Sequence, residues 1–295
     1  MENLKLKIEN EGISFLFNME KPMKRVVTMQ DLSCMGKCSL TVALPVLSAM
    51  GIECAVLPTA VLSTHTAFPN PAVTDLSRHA DAIMDHWATL EPRFDGICTG
   101  YLATPDQCAQ AERLIDRFGG ENCFVCVDPA MADHGRLYSG LTPEHPEAMR
   151  KLCARGDLIL PNLTEGALLT GMAYRAEEDP GYYREMVEEL MKLGCRGVML
   201  TGFHPVEGRI GLLGKWGSGE VFTCSRREVA RSCHGTGDLF AAVVMGSILR
   251  GKTLSEAGDL ACGIVRKAIM ATPEDSRYGV AFETCIPELI DRLER

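Results

Sequence analysis

Short apolar segments alternate with longer amphipathic segments along almost the whole chain, and this alternation limits the folds that it can adopt. The short segments predict strands at residues 25–30, 54–61, 96–101, 123–128, 158–160 and 198–201. The longer ones predict helices at residues 40–50, 76–90, 105–118, 143–154, 164–170, 182–193, 236–249, 253–271 and 287–295. Strands that alternate with such helices form βαβ units. We therefore predict an α/β fold, with a mostly parallel sheet covered by helices on both faces.

The sequence between residues 23 and 295 contains no linker, repeat or low-complexity stretch, which favours one domain. Residues 1–22 carry alternating charges and a five-residue apolar patch that is too short for a membrane span or a secretory signal. We expect these residues to be an extension outside the domain. Two more apolar segments, residues 210–213 and 221–224, predict a hairpin that is either a small lid or an edge of the sheet.

The charge and the cysteine content exclude several classes of protein. The chain has 39 acidic and 30 basic residues and a formal net charge of −9, so it suits neither a nucleic-acid backbone nor an anionic membrane. Its 13 cysteines have no framework spacing, which indicates reduced thiols in a cytoplasmic protein. Cys123 and Cys126 form a C-x-x-C, but their apolar neighbours predict a buried strand.

Polar residues stand where the predicted strands end. Because the carboxyl ends of parallel strands meet at one edge of a sheet, a ligand is expected there. The residues at these ends are Asp31, Thr59, Tyr101, Asp128, Asn162, Thr201 and Gly202. Asp128, and Glu165 three residues after Asn162, carry carboxylates of the kind that Mg²⁺ accepts alongside water. For Asn162 and Glu165, a simple cap at a helix start is the alternative.

The strongest motif is the glycine turn His234-Gly235-Thr236-Gly237-Asp238 before an apolar helix. Its glycines allow a tight turn whose N–H groups point outward, and the helix start adds partial positive charge. The turn can therefore hold an anion. Asp238 is placed to take a proton from an alcohol that attacks a phosphoryl group. Alternatively, the turn is an ordinary helix start with no chemistry.

A second match, to the G-x-x-x-x-G-K-[ST] phosphate loop, comes from Gly246, Gly251, Lys252 and Thr253. We reject it because Gly246 falls inside a predicted helix and Gly251 suits the end of that helix. Thr253 and Glu256 form a capping box for the next helix. A dinucleotide fingerprint after the first strand is absent from the sequence.

These motifs, in this order, resemble the ribokinase-like superfamily and, within it, the pyridoxal kinases. The resemblance covers residues 24–295 and implies a three-layer α/β/α fold. It implies Asp238 as catalytic base, and Gly235, Thr236 and Gly237 as an anion hole. It also implies substrate contacts at Asp31, Thr59 and Tyr101, nucleotide contacts at Asn162, Thr201 and Gly202, and Mg²⁺ near Asp128 and Glu165. The implied partners are ATP and a vitamin B6 compound, with a possible monovalent cation, in a cytoplasmic homodimer.

Two departures keep other functions open. Asp31 stands where pyridoxal kinases usually have serine, so the preferred B6 vitamer is left open. Cys233-His234 resembles the hydroxymethylpyrimidine kinases of thiamine synthesis, although these usually have cysteine at the position of Asp238. A hydroxymethylpyrimidine kinase is therefore the alternative function. A non-catalytic ligand-binding protein with the same fold is the second alternative.

Overall fold

A computed structural model describes residues 23–175 and 179–294, so the expected extension at residues 1–22 lies outside the described residues. The strands are β1 Arg25–Met35, β2 Glu53–Thr64, β3 Val73–Asp75, β4 Gly96–Thr99, β5 Phe124–Val127, β6 Ala132–Asp133, β7 Arg136–Leu137, β8 Leu158–Ile159, β9 Gly197–Phe203, β10 Arg209–Trp216 and β11 Phe222–Arg227. The helices are α1 Leu40–Ala49, α2 Ser77–Thr89, α3 Pro105–Phe118, α4 His145–Cys153, α5 Leu163–Thr170, α6 Pro180–Met191, α7 Thr236–Leu249, α8 Leu254–Ala271 and α9 Ile286–Glu294.

The central sheet has the strand order β11-β10-β9-β8-β5-β4-β1-β2-β3. The strands from β9 through β1 to β2 pair in parallel, and β3, β10 and β11 add antiparallel edges. The chain winds from β1 towards β2 on one side and from β4 towards β9 on the other. The sheet is therefore doubly wound, and its topological switch lies between β1 and β4, where such sheets bind ligands.

Two hydrophobic cores lie on opposite faces of the sheet, which makes the fold a three-layer α/β/α structure. One core packs α2 to α6 on the sheet, and the other packs α1, α7, α8 and α9. Strand β5 shows the alternation that feeds both cores, because Val125 and Val127 belong to the first and Cys126 to the second. The predicted fold class is confirmed.

Strand β1 contains a bulge at the point where it reaches the functional edge. Gln30 pairs with Pro58 and Leu32 with Val61, so the register shifts between them. Asp31 therefore faces the Thr59 region of β2 at an irregularity rather than in a regular ladder. Bulges re-aim side chains, and they recur next to active sites.

The predicted hairpin at residues 210–213 and 221–224 forms strands β10 and β11. Strand β10 pairs along β9 as well as β11, so the hairpin extends the sheet instead of forming a separate lid. The free edge of β9 offers main-chain groups that the hairpin satisfies. Strand β3 and the short β6–β7 hairpin were not predicted, because they lack the continuous apolar run that marked the equally short β8.

Two sequence interpretations are confirmed by the fold. Gly246 lies inside α7, and Thr253 caps α8 in a complete capping box with Glu256, so these residues do not form a phosphate loop. All thirteen cysteines are free, and Cys123 and Cys126 are buried. Within the described ranges, no helix is both long and apolar enough to cross a bilayer.

Candidate active site

The glycine turn lies at the start of α7, which is buried between α1 and α8. Gly235 has a φ of 80°, a conformation that suits glycine, and it places the first helical N–H groups at the edge of the sheet. The Thr236 hydroxyl donates to the Cys233 carbonyl at 3.1 Å, which fixes the turn. Asp238 lies in the first turn of α7. The turn thus places the first helical N–H groups next to a carboxylate, which is the arrangement that the predicted anion hole requires.

The segment between β1 and α1 packs tightly against this turn. A Cβ atom on Gly235 would lie 2.2 Å from the Lys37 carbonyl oxygen, so no larger residue fits without a shift. Gly279 approaches the same carbonyl, and the Lys37 N–H donates to the Tyr278 carbonyl at 2.7 Å. Three loops thus meet at one point of the sheet edge.

Asp238 has neighbours that sequence reasoning missed. The Ser39 N–H and the Cys38 thiol face its carboxylate and favour the charged form, while burial acts more strongly and raises its pKa. Burial, with Asp238 and Asp31 nearby, also raises the pKa of the Cys38 thiol. Cys38 and Ser39 carry no motif, and only the fold of the β1–α1 segment brings them to Asp238.

Asp31 is the most constrained polar residue of the expected substrate pocket. Its carboxylate accepts hydrogen bonds from the Ser39 hydroxyl at 2.5 Å and from the Ser33 hydroxyl at 3.4 Å. Burial and the charge of Asp238 raise its pKa to about 6 despite these bonds. Asp31 also raises the pKa of Tyr101, second to burial, so Asp31, Asp238 and Tyr101 share one region.

The two expected metal residues, Asp128 and Glu165, are buried side by side. Burial and the neighbouring Asp238 raise the pKa of Asp128, and burial together with Asp128 raises that of Glu165. The oxygens of Glu165 already accept bonds from the amides of Asn162 at 2.8 Å and Met131 at 3.1 Å. Asp128 carries the freer carboxylate of the two in the described part of the chain.

This surplus of negative charge fits a bound cation. In the described ranges, no group of three or more His, Cys, Asp or Glu residues is arranged to hold a metal ion alone. Mg²⁺ commonly uses one or two carboxylates and completes its shell with water and substrate phosphates. The residues present fit that mode of binding, in which Asp128 and Glu165 would act mainly through water.

The position of Asn162 agrees with the alternative interpretation as a helix cap. Its Oδ1 accepts from the Glu165 N–H at 2.9 Å, and the pair forms a complete capping box at α5. Its Nδ2 donates to the Ala132 carbonyl at 2.7 Å. Asn162 also bridges to Thr201, whose N–H donates to Pro161 at 2.8 Å. Asn162, Glu165 and Thr201 therefore lie together, and Gly202 follows with a φ of 75°.

The other expected substrate residues are less closely joined. Thr59 is buried, and its carbonyl accepts from the Leu76 N–H at 2.9 Å, but its side chain makes no hydrogen bond to Asp31 or Tyr101 in the described residues. The Tyr101 ring has a neighbour that was not predicted, the Tyr138 ring, with centroids 6.4 Å apart. Tyr138 follows the β6–β7 hairpin, and Glu165 and Asp128 are among the charges that act on it.

An aromatic cluster covers the outer side of the glycine turn. The rings of His65 and His234 stack with centroids 4.8 Å apart, and His65 is 4.8 Å from Phe68. The His65 Nε2 lies 3.0 Å from the Arg277 carbonyl. His65 follows β2, and its pairing with His234 comes from tertiary structure rather than from any local sequence pattern. The cluster ties the β2–β3 segment to the anion hole.

Comparison with known proteins places this geometry in a family. The family profile described as phosphomethylpyrimidine kinase matches residues 46–280. The chain belongs to this kinase family. The family is part of the ribokinase-like superfamily, which also includes the pyridoxal kinases.

Individual members of the family differ in the substrates that they are named for. A structure from Bacteroides thetaiotaomicron, named as a phosphomethylpyrimidine kinase and solved with pyridoxal, is 33% identical with a TM-score of 0.86 and covers 91% of this chain and 96% of its own. Pyridoxal kinase from Lactobacillus plantarum is 32% identical with a TM-score of 0.84, covering 92% and 98%. Hydroxymethylpyrimidine/phosphomethylpyrimidine kinase from Bacillus subtilis is 28% identical, covering 84% and 83%.

Proposed function

We propose that the protein is a pyridoxal kinase, which transfers the terminal phosphoryl group of ATP to the 5′-hydroxymethyl group of pyridoxal, pyridoxamine or pyridoxine. The observation that carries the proposal is the buried carboxylate of Asp238 in the glycine turn, close enough to Asp31 to raise its pKa, as Asp31 in turn raises that of Tyr101. The pyridoxal in the related Bacteroides structure supports a B6 acceptor.

The residues have separate tasks in this reaction. Asp238 accepts the proton of the attacking hydroxyl, and its raised pKa makes it a stronger base than an exposed carboxylate. The N–H groups of Gly235, Thr236 and Gly237 stabilise the charge on the moving phosphoryl group. Asp31, Thr59 and Tyr101 hold the acceptor ring. Asn162, Thr201 and Gly202 hold the nucleotide.

Bound Mg²⁺ supplies positive charge at the phosphate oxygens. Asp128 and Glu165 would hold that ion, mainly through water, and their mutual repulsion would favour its binding. We further propose a cytoplasmic homodimer in which residues 1–22 lie outside the kinase domain and a monovalent cation assists the nucleotide. The homodimer and the monovalent cation follow from the family resemblance, whereas the location follows from the cysteine content and the extension from the composition of residues 1–22.

Hydroxymethylpyrimidine kinase is the second candidate, because the Bacillus relative carries that name and the matching family profile is described as phosphomethylpyrimidine kinase. The two acceptors differ in their rings and share the reacting hydroxymethyl group. Measuring ADP release with Mg-ATP and each of pyridoxal, pyridoxamine, pyridoxine and hydroxymethylpyrimidine separates them. We expect the highest kcat/KM on a B6 vitamer. Turnover on the pyrimidine alone would select the second candidate, and folded protein inactive on all four would leave another alcohol acceptor or the non-catalytic alternative.

The assignment of the base is tested by Asp238→Asn. This change keeps the shape of the side chain and removes its ability to take a proton. We expect kcat to fall by roughly 10²–10⁴-fold with the melting temperature retained. Near-normal turnover in the folded variant would refute the assignment.

A further inference from the structure

The starting point is a serine that begins a helix without capping it. Ser39 precedes α1, and its carbonyl accepts the N–H groups of Val42 at 3.0 Å and Ala43 at 2.9 Å. A serine at this position ordinarily turns its hydroxyl onto the first helical amides. The Ser39 side chain makes no such bond to the helix. Its hydroxyl is therefore used elsewhere.

The Ser39 hydroxyl bonds to Asp31 instead. It donates to the Asp31 Oδ1 at 2.5 Å, and Ser39 and Asp31 are 1% and 6% exposed. A bond to a buried carboxylate is among the stronger hydrogen bonds in proteins. It fixes the orientation of a side chain that lies in the expected acceptor pocket.

The main chain of Ser39 faces a second carboxylate. Its N–H points at Asp238, and its φ of 52° lies in the left-handed region that serine rarely adopts. Backbone strain of this kind persists where the surroundings impose it, commonly at functional sites. At Ser39 the surroundings are Asp31 on one side, Asp238 on the other and the start of α1 behind. One residue thus connects the acceptor pocket to the proposed base.

We propose that Ser39 is a positioning residue for phosphoryl transfer, whose hydroxyl orients the Asp31 carboxylate towards the acceptor and whose main-chain N–H orients Asp238. The inference rests on the proposed function, since it assigns a task within that reaction. The two contacts of Ser39 have different tasks in this proposal. The hydroxyl governs acceptor binding, and the conformation of the main chain governs the catalytic step.

The test compares Ser39→Ala and Ser39→Gly with Ser33→Ala. Ser33 is the matched control, because its buried hydroxyl meets the other oxygen of Asp31 at the longer distance of 3.4 Å. With the preferred acceptor, we expect Ser39→Ala to lower kcat/KM by about 10- to 100-fold, mainly through acceptor KM. The KM for ATP should stay within about twofold. Ser39→Gly should match this loss and also lower kcat, because glycine no longer holds the N–H in place. Ser33→Ala should stay within about threefold of the wild type.

A double-mutant cycle with Asp31→Ala, which leaves the Ser39 hydroxyl no acceptor at that position, distinguishes positioning from general destabilisation. If Ser39 acts through Asp31, Ser39→Ala should have less than a third of its effect on acceptor KM in the Asp31→Ala background. Equal effects in both backgrounds, or a Ser39→Ala variant no worse than Ser33→Ala, would overturn the inference while the wild type remains active. Ser39→Gly relieves the left-handed strain, so it provides folded protein for the comparison if the alanine variant is unstable. An inactive wild type on all four acceptors would instead overturn the proposed function, and the inference with it.

Discussion

The ionised carboxylate of Asp31, at the sheet edge, opposes folding in the absence of ligands. Asp31 has its pKa raised from 3.8 to about 6, so the folded protein prefers the neutral carboxyl. The unfolded chain ionises this group near pH 4, and the folded protein does so only near pH 6. The stability that the neutral carboxyl contributes is therefore present below about pH 4 and is lost as the pH rises through 6.

Replacing Asp31 by Asn should remove the loss of folding stability that the ionised carboxylate causes at high pH. We expect Asp31→Asn to be more stable than the wild type at pH 8 by about 3 kcal/mol, with the difference fading towards pH 4. Thermal unfolding across this pH range measures it, and Glu121→Gln, a change at an exposed carboxylate, is the control. A gain that is the same at pH 4 and pH 8 would contradict the electrostatic origin.

Helix starts at the site have the same local structure as helix starts far from it. Helix α5 begins with the capping box of Asn162 and Glu165, and α8 begins with that of Thr253 and Glu256. Thr253→Ala and Asn162→Ala should each cost about 1 kcal/mol of stability. Only Asn162→Ala should raise the KM for ATP. Parallel melting curves and kinetics test this, and unchanged kinetics in Asn162→Ala would make that cap purely structural.

The start and the end of α7 provide a second matched pair. Gly235 and Gly251 both have positive φ, 80° and 90°. A Cβ atom added to Gly235 would lie 2.2 Å from a carbonyl oxygen, whereas one added to Gly251 would meet open space. Gly251→Ala should lower the free energy of unfolding by about 1 kcal/mol and leave turnover normal. Gly235→Ala should lower the free energy of unfolding by more than Gly251→Ala does. It should also lower kcat at least tenfold, because the anion hole shifts. Equal behaviour of the two variants in denaturant melts and assays would argue against the close approach.

At the scale of the molecule, the nucleotide and the cation should join loops that come from separate strands. A ligand at 100 times its Kd stabilises the folded state by about 2.7 kcal/mol. We expect ADP with Mg²⁺ to raise the melting temperature more than ADP with EDTA. Asp128→Asn should lose most of the increment due to Mg²⁺. An increment that survives in Asp128→Asn would remove this residue from the cation site.

The sequence predicted features whose signal is local. The capping box of Thr253, the glycine turn before Asp238 and the alternation of strands and helices each fall within a few adjacent residues, and the structure contains all three. The position of Ser39 beside Asp31 and Asp238 depends on a bulge in β1 and on the packing of α1 against α7. Such contacts between distant segments carry no local pattern. Tyr138 was missed for the same reason, since it follows a hairpin of very short strands.

The distribution of thiols gives the protein a built-in attachment point for a probe. Of its thirteen cysteines, nine are buried, three are intermediate and Cys34 is exposed. A maleimide dye would attach first at Cys34, near the end of β1 and four residues before Cys38 at the proposed base. The emission of that dye would follow the β1–α1 segment as acceptor and nucleotide arrive, without any engineered cysteine. The wild-type chain can therefore be used directly for fluorescence studies of ligand binding.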